Sequence, residues 1–309
     1  MSSQGSSKAI IAALLANLGT AVTKFLAFLF TGSSSLLAES VHSLADTGNQ
    51  GLLLLGGRRA RRHRDREHPF GYGAERYFYA FVVALVLFSA GGIFALIEGF
   101  SKVRHPHHVD DPWVAIAVLV AAMVLEGLSF RTARAESKPL KGSGSWAQFV
   151  RRTKNPELPV VLLEDSAALA GLVFALIGVG LAALTGNGRW DGVGTLAIGV
   201  LLVAVAVTLA IETKSLLIGE SAAADVETAI TAALLGGPEV ERVIHLRTLH
   251  LGPDELLIAA KIAVAHDDTA AAVARGIDAA ERRVRAAVAM TTVIYLEPDL
   301  DRSGWPRFS

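Results

Sequence analysis

The sequence predicts a polytopic α-helical membrane protein, with six transmembrane helices followed by a cytoplasmic α+β domain of order αββαβ. Three observations lead there. The 309 residues are 52% hydrophobic, too apolar for an ordinary soluble domain. Six apolar runs reach the ~20 residues that a bilayer-crossing helix needs, at about 9–30, 36–57, 78–101, 112–133, 158–185 and 192–212. From about residue 213 the composition becomes that of a small soluble unit. These limits set a membrane domain over 1–212 and a second domain over 213–309.

The first run follows MSSQGSSK and is long enough to stay in the bilayer rather than to act as a cleaved signal. Orientation follows from Lys and Arg in the loops. The loops after spans two and four carry seven each, whereas loops one, three and five together hold Lys102, Arg104 and Arg189. The even loops and both termini are therefore expected in the cytoplasm. The absence of cysteine excludes disulfides and thiolate metal sites, and a formal net charge of zero gives no general attraction to nucleic acid. Between spans four and five, ESKPLKGSGSWAQFVRRTKNPELP reads as an irregular loop, with WAQFVRR as a short amphipathic helix at the membrane surface.

In the tail, AAADVETAITAALL has helical spacing and VERVIHLRTLHL alternates like a strand. Gly252-Pro253-Asp254 makes a turn, ELLIAAKIAV is a second strand, TAAAVARGIDAAERRVRAAV a helix and TTVIYLE a third strand. That order gives a two-layer α+β unit.

Span two contains LLAESVHSLADTGNQ, an unusual set of polar groups for an apolar helix. His42 and Asp46 are four apart and share one side, with Glu39 and Asn49 flanking them. An ionisable group in the bilayer costs roughly 2.5–3.5 kcal/mol on insertion scales. An imidazole and a carboxylate one turn apart can both ligate one metal ion, which suits zinc and also iron, cobalt and manganese. Packing against other helices, or lining a water cavity, is the alternative reading of the same residues. Span five begins PVVLLEDSAALAGLVFALIG, with Glu164 and Asp165 adjacent. They point about 100° apart, so at most one faces the span-two stripe squarely. The other can reach sideways, meet Lys24 of span one, or face cytoplasmic water. Span four adds Glu126, and span three adds Glu98 near its outer end.

LFTGSSSLLAESVHSLADTGNQGLLLLG, followed by HPFGYGAERY, resembles the cation diffusion facilitator family, and the six-span layout and the tail resemble it too. SVHSLADTGNQGLLLLG together with LLED is most similar to the divergent branch that contains the mitochondrial zinc exporter. The resemblance implies a homodimer, joined through the C-terminal domain and the membrane helices, that exports divalent metal from the cytoplasm in exchange for protons. Alternating access would act around a site between spans two and five. The family site takes two residues four apart on each of those spans. His42, Asp46 and Asp165 match, but the remaining position is Val161, which cannot ligate. The resemblance then implies a fourth ligand from Glu164 first, or from Glu126, Asn49, Glu39 or water.

Zn²⁺ is the ion that a histidine-containing site favours, and extra carboxylates admit Mn²⁺ or Fe²⁺. A second family site in the loop after span two is matched by Asp65 and His68, with Tyr72 in its third position. In the tail His245 and Glu297 keep ligand-capable side chains, while Lys261, Arg275 and Tyr295 do not, so the tail is read as a dimerisation module. No organic cofactor and no nucleic acid partner are expected, and a bacterial plasma membrane is favoured over an organellar one. The alternative is a membrane metal sensor or scaffold that binds without transport. An enzyme is disfavoured, because HExxH is absent and no serine has a base on a neighbouring turn.

Overall fold

The structure is a computed structural model that describes residues 3–141 and 144–300, with side chains from residue 17 onward except at 133, 136, 139, 140, 151 and 152. The last residues assigned to the C-terminal domain, 301–309, and the side chains of Arg151 and Arg152 in the basic loop lie outside the described residues. The chain divides into two compact units. One holds the residues up to Arg58 together with Arg76–Lys214, and the other holds Arg59–Glu75 with the chain from Ser215 onward. The basic loop after span two thus groups with the tail.

The helices of the first part are α1 (Ser3–Thr31), α2 (Ser34–Ala60), α3 (Glu75–Val86), α4 (Phe94–Arg104), α5 (Pro112–Lys141), α6 (Trp146–Arg152), α7 (Glu157–Thr185) and α8 (Arg189–Ile218). A π-helical stretch, Leu87–Ile93, joins α3 to α4, so that Glu75–Arg104 is one continuous rod. Among the described residues, four helical segments are long and apolar enough to cross a membrane: Glu75–Arg104, Pro112–Thr132, Glu157–Thr185 and Arg189–Ile218. In α2 the apolar run is broken by Glu39, His42, Asp46, Asn49 and Gln50.

The connector after α5 is more regular than its composition suggests. The helix continues to Lys141, past Pro139, and Ala133, Ala135 and Glu136 are strong helix formers. The helix α6 then starts on a capping box, in which Ser145 Oγ accepts from the Gln148 amide (3.1 Å) and Gln148 Oε1 accepts from the Ser145 amide (3.0 Å).

The membrane unit is packed around buried Leu36, Val83, Leu87, Leu119, Leu172 and Ile198, with α5 lying along both α7 and α1. The helix α8 meets its neighbours backbone to backbone. A Cβ on Gly99 of α4 would lie 2.7 Å from the Leu196 amide nitrogen, and one on Gly178 of α7 would lie 2.9 Å from the Trp190 carbonyl. Side-chain-free contact of this kind is how helices associate closely in lipid.

A polar clamp holds the start of α2. Gly32, at φ +63°, makes the tight turn from α1. Asp191, fully buried in the first turn of α8, accepts from the amides of Ser34 (2.7 Å) and Ser35 (3.2 Å) and from the hydroxyls of Ser33 (2.9 Å) and Ser34 (3.1 Å). It caps α2 from another helix, supplying the acceptor that the first amides of a helix lack. Lys102 donates to the Gly32 carbonyl at 2.7 Å, and its ammonium stands 4.0 Å from Asp191.

In the second unit, α9 (Ala224–Leu234) and α10 (Ala270–Ala287) accompany a sheet of β1 (Arg242–Gly252), β2 (Glu255–Ala263) and β3 (Thr291–Asp299). The sheet order is β1-β2-β3, with β1 and β2 antiparallel and β2 and β3 parallel, which requires the crossover through α10. Ile230 and Leu234 of α9, Leu256 and Ile258 of β2, Val284 of α10 and Ile294 of β3 make its core. The loop 59–75 joins this unit through an Arg64–Glu255 ion pair. It also contacts β1 where the position of Gly73 leaves no room for a Cβ, which would lie 2.6 Å from the Leu251 carbonyl.

Removing the Asp191 carboxylate strands two amides and one buried ammonium together. Asp191→Ala is expected to lower the stability of the detergent-solubilised protein by roughly 3–5 kcal/mol, read as a lower thermal midpoint. An unchanged midpoint would show that the clamp does not hold α2.

Candidate metal centre

The centre is built on α2. His42 is 1% exposed, and its Nδ1 lies 3.5 Å from Oδ1 of Asp46, one turn on. Among the described residues neither ring nitrogen of His42 has a hydrogen-bond partner, and nor does Oδ1 of Asp46. Lone pairs and N–H groups left bare in a protein interior are rare, and each such group ordinarily costs about 1–3 kcal/mol. Asn49, a turn beyond Asp46, donates from Nδ2 to Glu164 Oε1 of α7 at 2.7 Å, while its own Oδ1 is without a partner among the described residues.

The two adjacent acids of α7 separate. Glu164, buried, turns to α2 through Asn49. Asp165, partly buried, turns toward α5 and accepts from Ser129 at 3.2 Å. Glu126, also on α5 and partly buried, lies within electrostatic range of His42, Asp46 and Asp165. Val161, one turn before Asp165, is partly buried. Among the described residues no three His, Asp or Glu side chains stand close enough to hold one ion together. What the structure brings together is a His42–Asp46 pair with bare ligand atoms, and acids of α7 and α5 around it.

Glu39 faces the other way. Its Oε2 accepts from Lys24 Nζ of α1 at 3.0 Å, and the same ammonium donates to Ser43 Oγ at 2.8 Å. Lys24 thus meets an acid of α2, its nearer neighbour, and not the acids of span five that the sequence left open as partners. Glu98 lies within electrostatic range of Lys102 on α4.

The loop residues form a closed set. Asp65 accepts from the His68 amide at 2.8 Å and from the Tyr72 hydroxyl at 2.5 Å. The phenol and that amide hold its carboxyl below the usual range, and Asp65 in turn pushes the Tyr72 phenol up. The His68 and Tyr72 rings lie 4.4 Å apart, with Arg62 over the Tyr72 ring. Tyr72 therefore organises the loop through the Asp65 oxygens. In the sheet, His245 pairs with Lys261, and Lys261 with Glu297. Lys261 Nζ lies 2.9 Å from Glu297 and 3.2 Å from Asp299, and the two acids raise its pKa above that of an ordinary lysine. In the strand order Lys261 thus lies between the two ligand-capable residues of the tail, with its ammonium on the acids of β3. His105, His107 and His108 are exposed between α4 and α5.

Sequence reasoning missed the Asp191 clamp and counted Lys102 as a loop charge. Its signal was the GSSS that opens α2 and the lone acid in the first turn of α8.

Residues 10–218 match the cation efflux transmembrane domain. The chain belongs to the cation efflux family. Among its relatives, the mitochondrial proton-coupled zinc antiporter SLC30A9 is 33% identical in Xenopus laevis and 30% in Homo sapiens, each over 84% of this chain. The cation-efflux pump FieF of Serratia proteamaculans is 29% identical over 81% of this chain and 78% of its own length. The chain spans about half the length of the two animal relatives, 47% and 46%. Within the cation efflux family it falls in the divergent, SLC30A9-like branch, and family membership together with the four apolar helices makes it a multi-pass membrane protein.

The bare imidazole and the donating amide of Asn49 differ in a measurable way. His42→Leu removes unpaired polar atoms, so the metal-free thermal midpoint should stay level or rise, by up to about 1–3 kcal/mol in stability. Asn49→Leu strips Glu164 of its donor and should lower stability by about the same amount. A destabilised His42→Leu variant would reveal a structural role for the ring.

Proposed function

We propose that this chain is a secondary transporter that exports divalent metal, with Zn²⁺ as its substrate, in exchange for protons. Alternating access would act around a site between α2 and α7. The observation that carries this reading is the buried His42–Asp46 pair with ligand atoms unused by the fold. His42, Asp46, Asp165 and Glu164 are the assigned ligands, with Glu126 a further carboxylate within electrostatic range. Closure would bring the α7 acids onto the α2 pair. Asn49 holds Glu164 against α2 meanwhile.

The chemistry of exchange follows from the ligands. Metal binding needs a neutral imidazole and ionised carboxylates, so metal and protons compete for the same lone pairs. An imidazole with a reference pKa of about 6.5 is suited to that competition near neutrality. The sign is fixed: affinity falls as pH falls, and an acidic far side favours metal release. The animal relatives are proton-coupled zinc antiporters, which supports the same substrate here. A site with one imidazole supports zinc over manganese.

The same reading makes α1 and α2 spans alongside the four apolar segments, six in all. It extends the membrane domain over about 1–212 and places both termini in the cytoplasm by the Lys and Arg bias of the even loops. It makes the unit beyond 213 the αββαβ dimerisation module of a homodimer, and favours a bacterial plasma membrane.

Reconstituted into liposomes, the chain should take up Zn²⁺ when a pH gradient is imposed, with Mn²⁺ and Fe²⁺ run beside it. Asp46→Ala and Asp165→Ala should each abolish uptake in folded protein, and Val161→His should tighten Zn²⁺ binding. Tight binding without flux would support a sensor and contradict transport.

A further inference from the structure

We propose that Lys24 determines metal specificity: its tethered ammonium occupies Glu39 and keeps that carboxylate out of the His42 site, which holds the site to zinc. The inference rests on the metal-site reading above and deepens it.

Glu39 has what a ligand needs. It stands three residues before His42, a neighbour on the helix surface, and its charge acts on both His42 and Asp46. It is fully buried. Its Oε1 has no hydrogen-bond partner among the described residues. That oxygen is pressed against α7, where a Cβ on Gly171 would lie 2.6 Å from it. The carboxylate therefore reaches both helices of the site with one oxygen unspent. Its other oxygen is claimed by Lys24 at 3.0 Å, an ammonium that is itself 1% exposed and is steadied by Ser43 at 2.8 Å.

A lysine in this position serves as a cation that never leaves. Without it, Glu39 would be a bare carboxylate in low dielectric, one turn from an exchangeable metal ion. It would turn to that ion and add a hard oxygen to the ligand set. More carboxylate and a smaller nitrogen share move preference from Zn²⁺ toward Mn²⁺. Glu39 and Lys24 thus act as a charge-neutral pair beside the site, and the number of carboxylates at the metal depends on whether the pair is intact.

The test is competition between Zn²⁺ and Mn²⁺ for the purified full chain, comparing wild type, K24M and K24M/E39Q. K24M is expected to shift the affinity ratio about tenfold toward Mn²⁺, the scale on which outer partners of ligands act. Adding E39Q should return the ratio to that of wild type. A K24M ratio equal to wild type, or a shift that E39Q does not reverse, overturns the proposal. If K24M does not fold, the uncharged double variant carries the test alone. It should keep the wild-type ratio and Zn²⁺ affinity, and loss of either makes Glu39 a ligand in its own right and overturns the proposal. A wild-type chain that follows this pattern yet moves no metal would contradict transport and leave the role of Lys24 standing. A wild-type chain that binds neither metal overturns both.

Discussion

Polar groups buried among packed helices must be paired, and in this chain the pairing is complete at Asp191 and left open most fully at His42. Asp191 spends both carboxylate oxygens on four donors at the start of α2. Glu39 has an ammonium, and Glu164 has the Asn49 amide. His42, the most deeply placed imidazole of the membrane unit, has both nitrogens bare among the described residues, with Asp46 Oδ1 bare beside it. A fold able to cap a helix from a neighbouring span could have satisfied one histidine. On the proposed reading, leaving it open keeps one imidazole lone pair and an Asp46 oxygen available to an ion that arrives and departs.

The surroundings suit that purpose. The acids are divided among helices, with Asp46 on α2, Glu164 and Asp165 on α7, and Glu126 on α5. On the proposed reading no single helix completes the ligand set, and occupancy would be coupled to the spacing of α2, α7 and α5. The clamp at Asp191 fixes the far end of α2, and glycine contacts fix α8 to α4 and α7. Tethered cations recur. Lys24 holds Glu39, Lys102 stands by Asp191, and Lys261 separates His245 from Glu297 in the sheet.

Much of this was legible in the residues. The four-residue spacing of His42 and Asp46 puts both on one face of any helix, and apolar runs mark the spans without reference to tertiary structure. Alternating apolar residues mark the strands of the tail in the same way. Other features depend on contacts that periodicity does not encode. Two adjacent acids differ by about 100° in direction, but which of them meets α2 depends on the rotation of α7, set by packing. The partner of Lys24 depends on how α1 lies on α2. The Asp191 clamp joins residues more than 150 positions apart, and the serines concerned read locally as an ordinary turn. The reach of α5 to Lys141 was obscured by Pro139, a residue that ordinarily ends a helix.

The account stands on one imidazole serving as a metal ligand. X-ray absorption at the zinc edge, on the full chain loaded with Zn²⁺, tests this most directly when wild type is compared with His42→Ala. The wild-type spectrum should show one imidazole with oxygen ligands, and the imidazole signal should vanish in the variant while oxygen scattering remains. An imidazole signal unchanged in His42→Ala, or absent from wild type, would contradict the account.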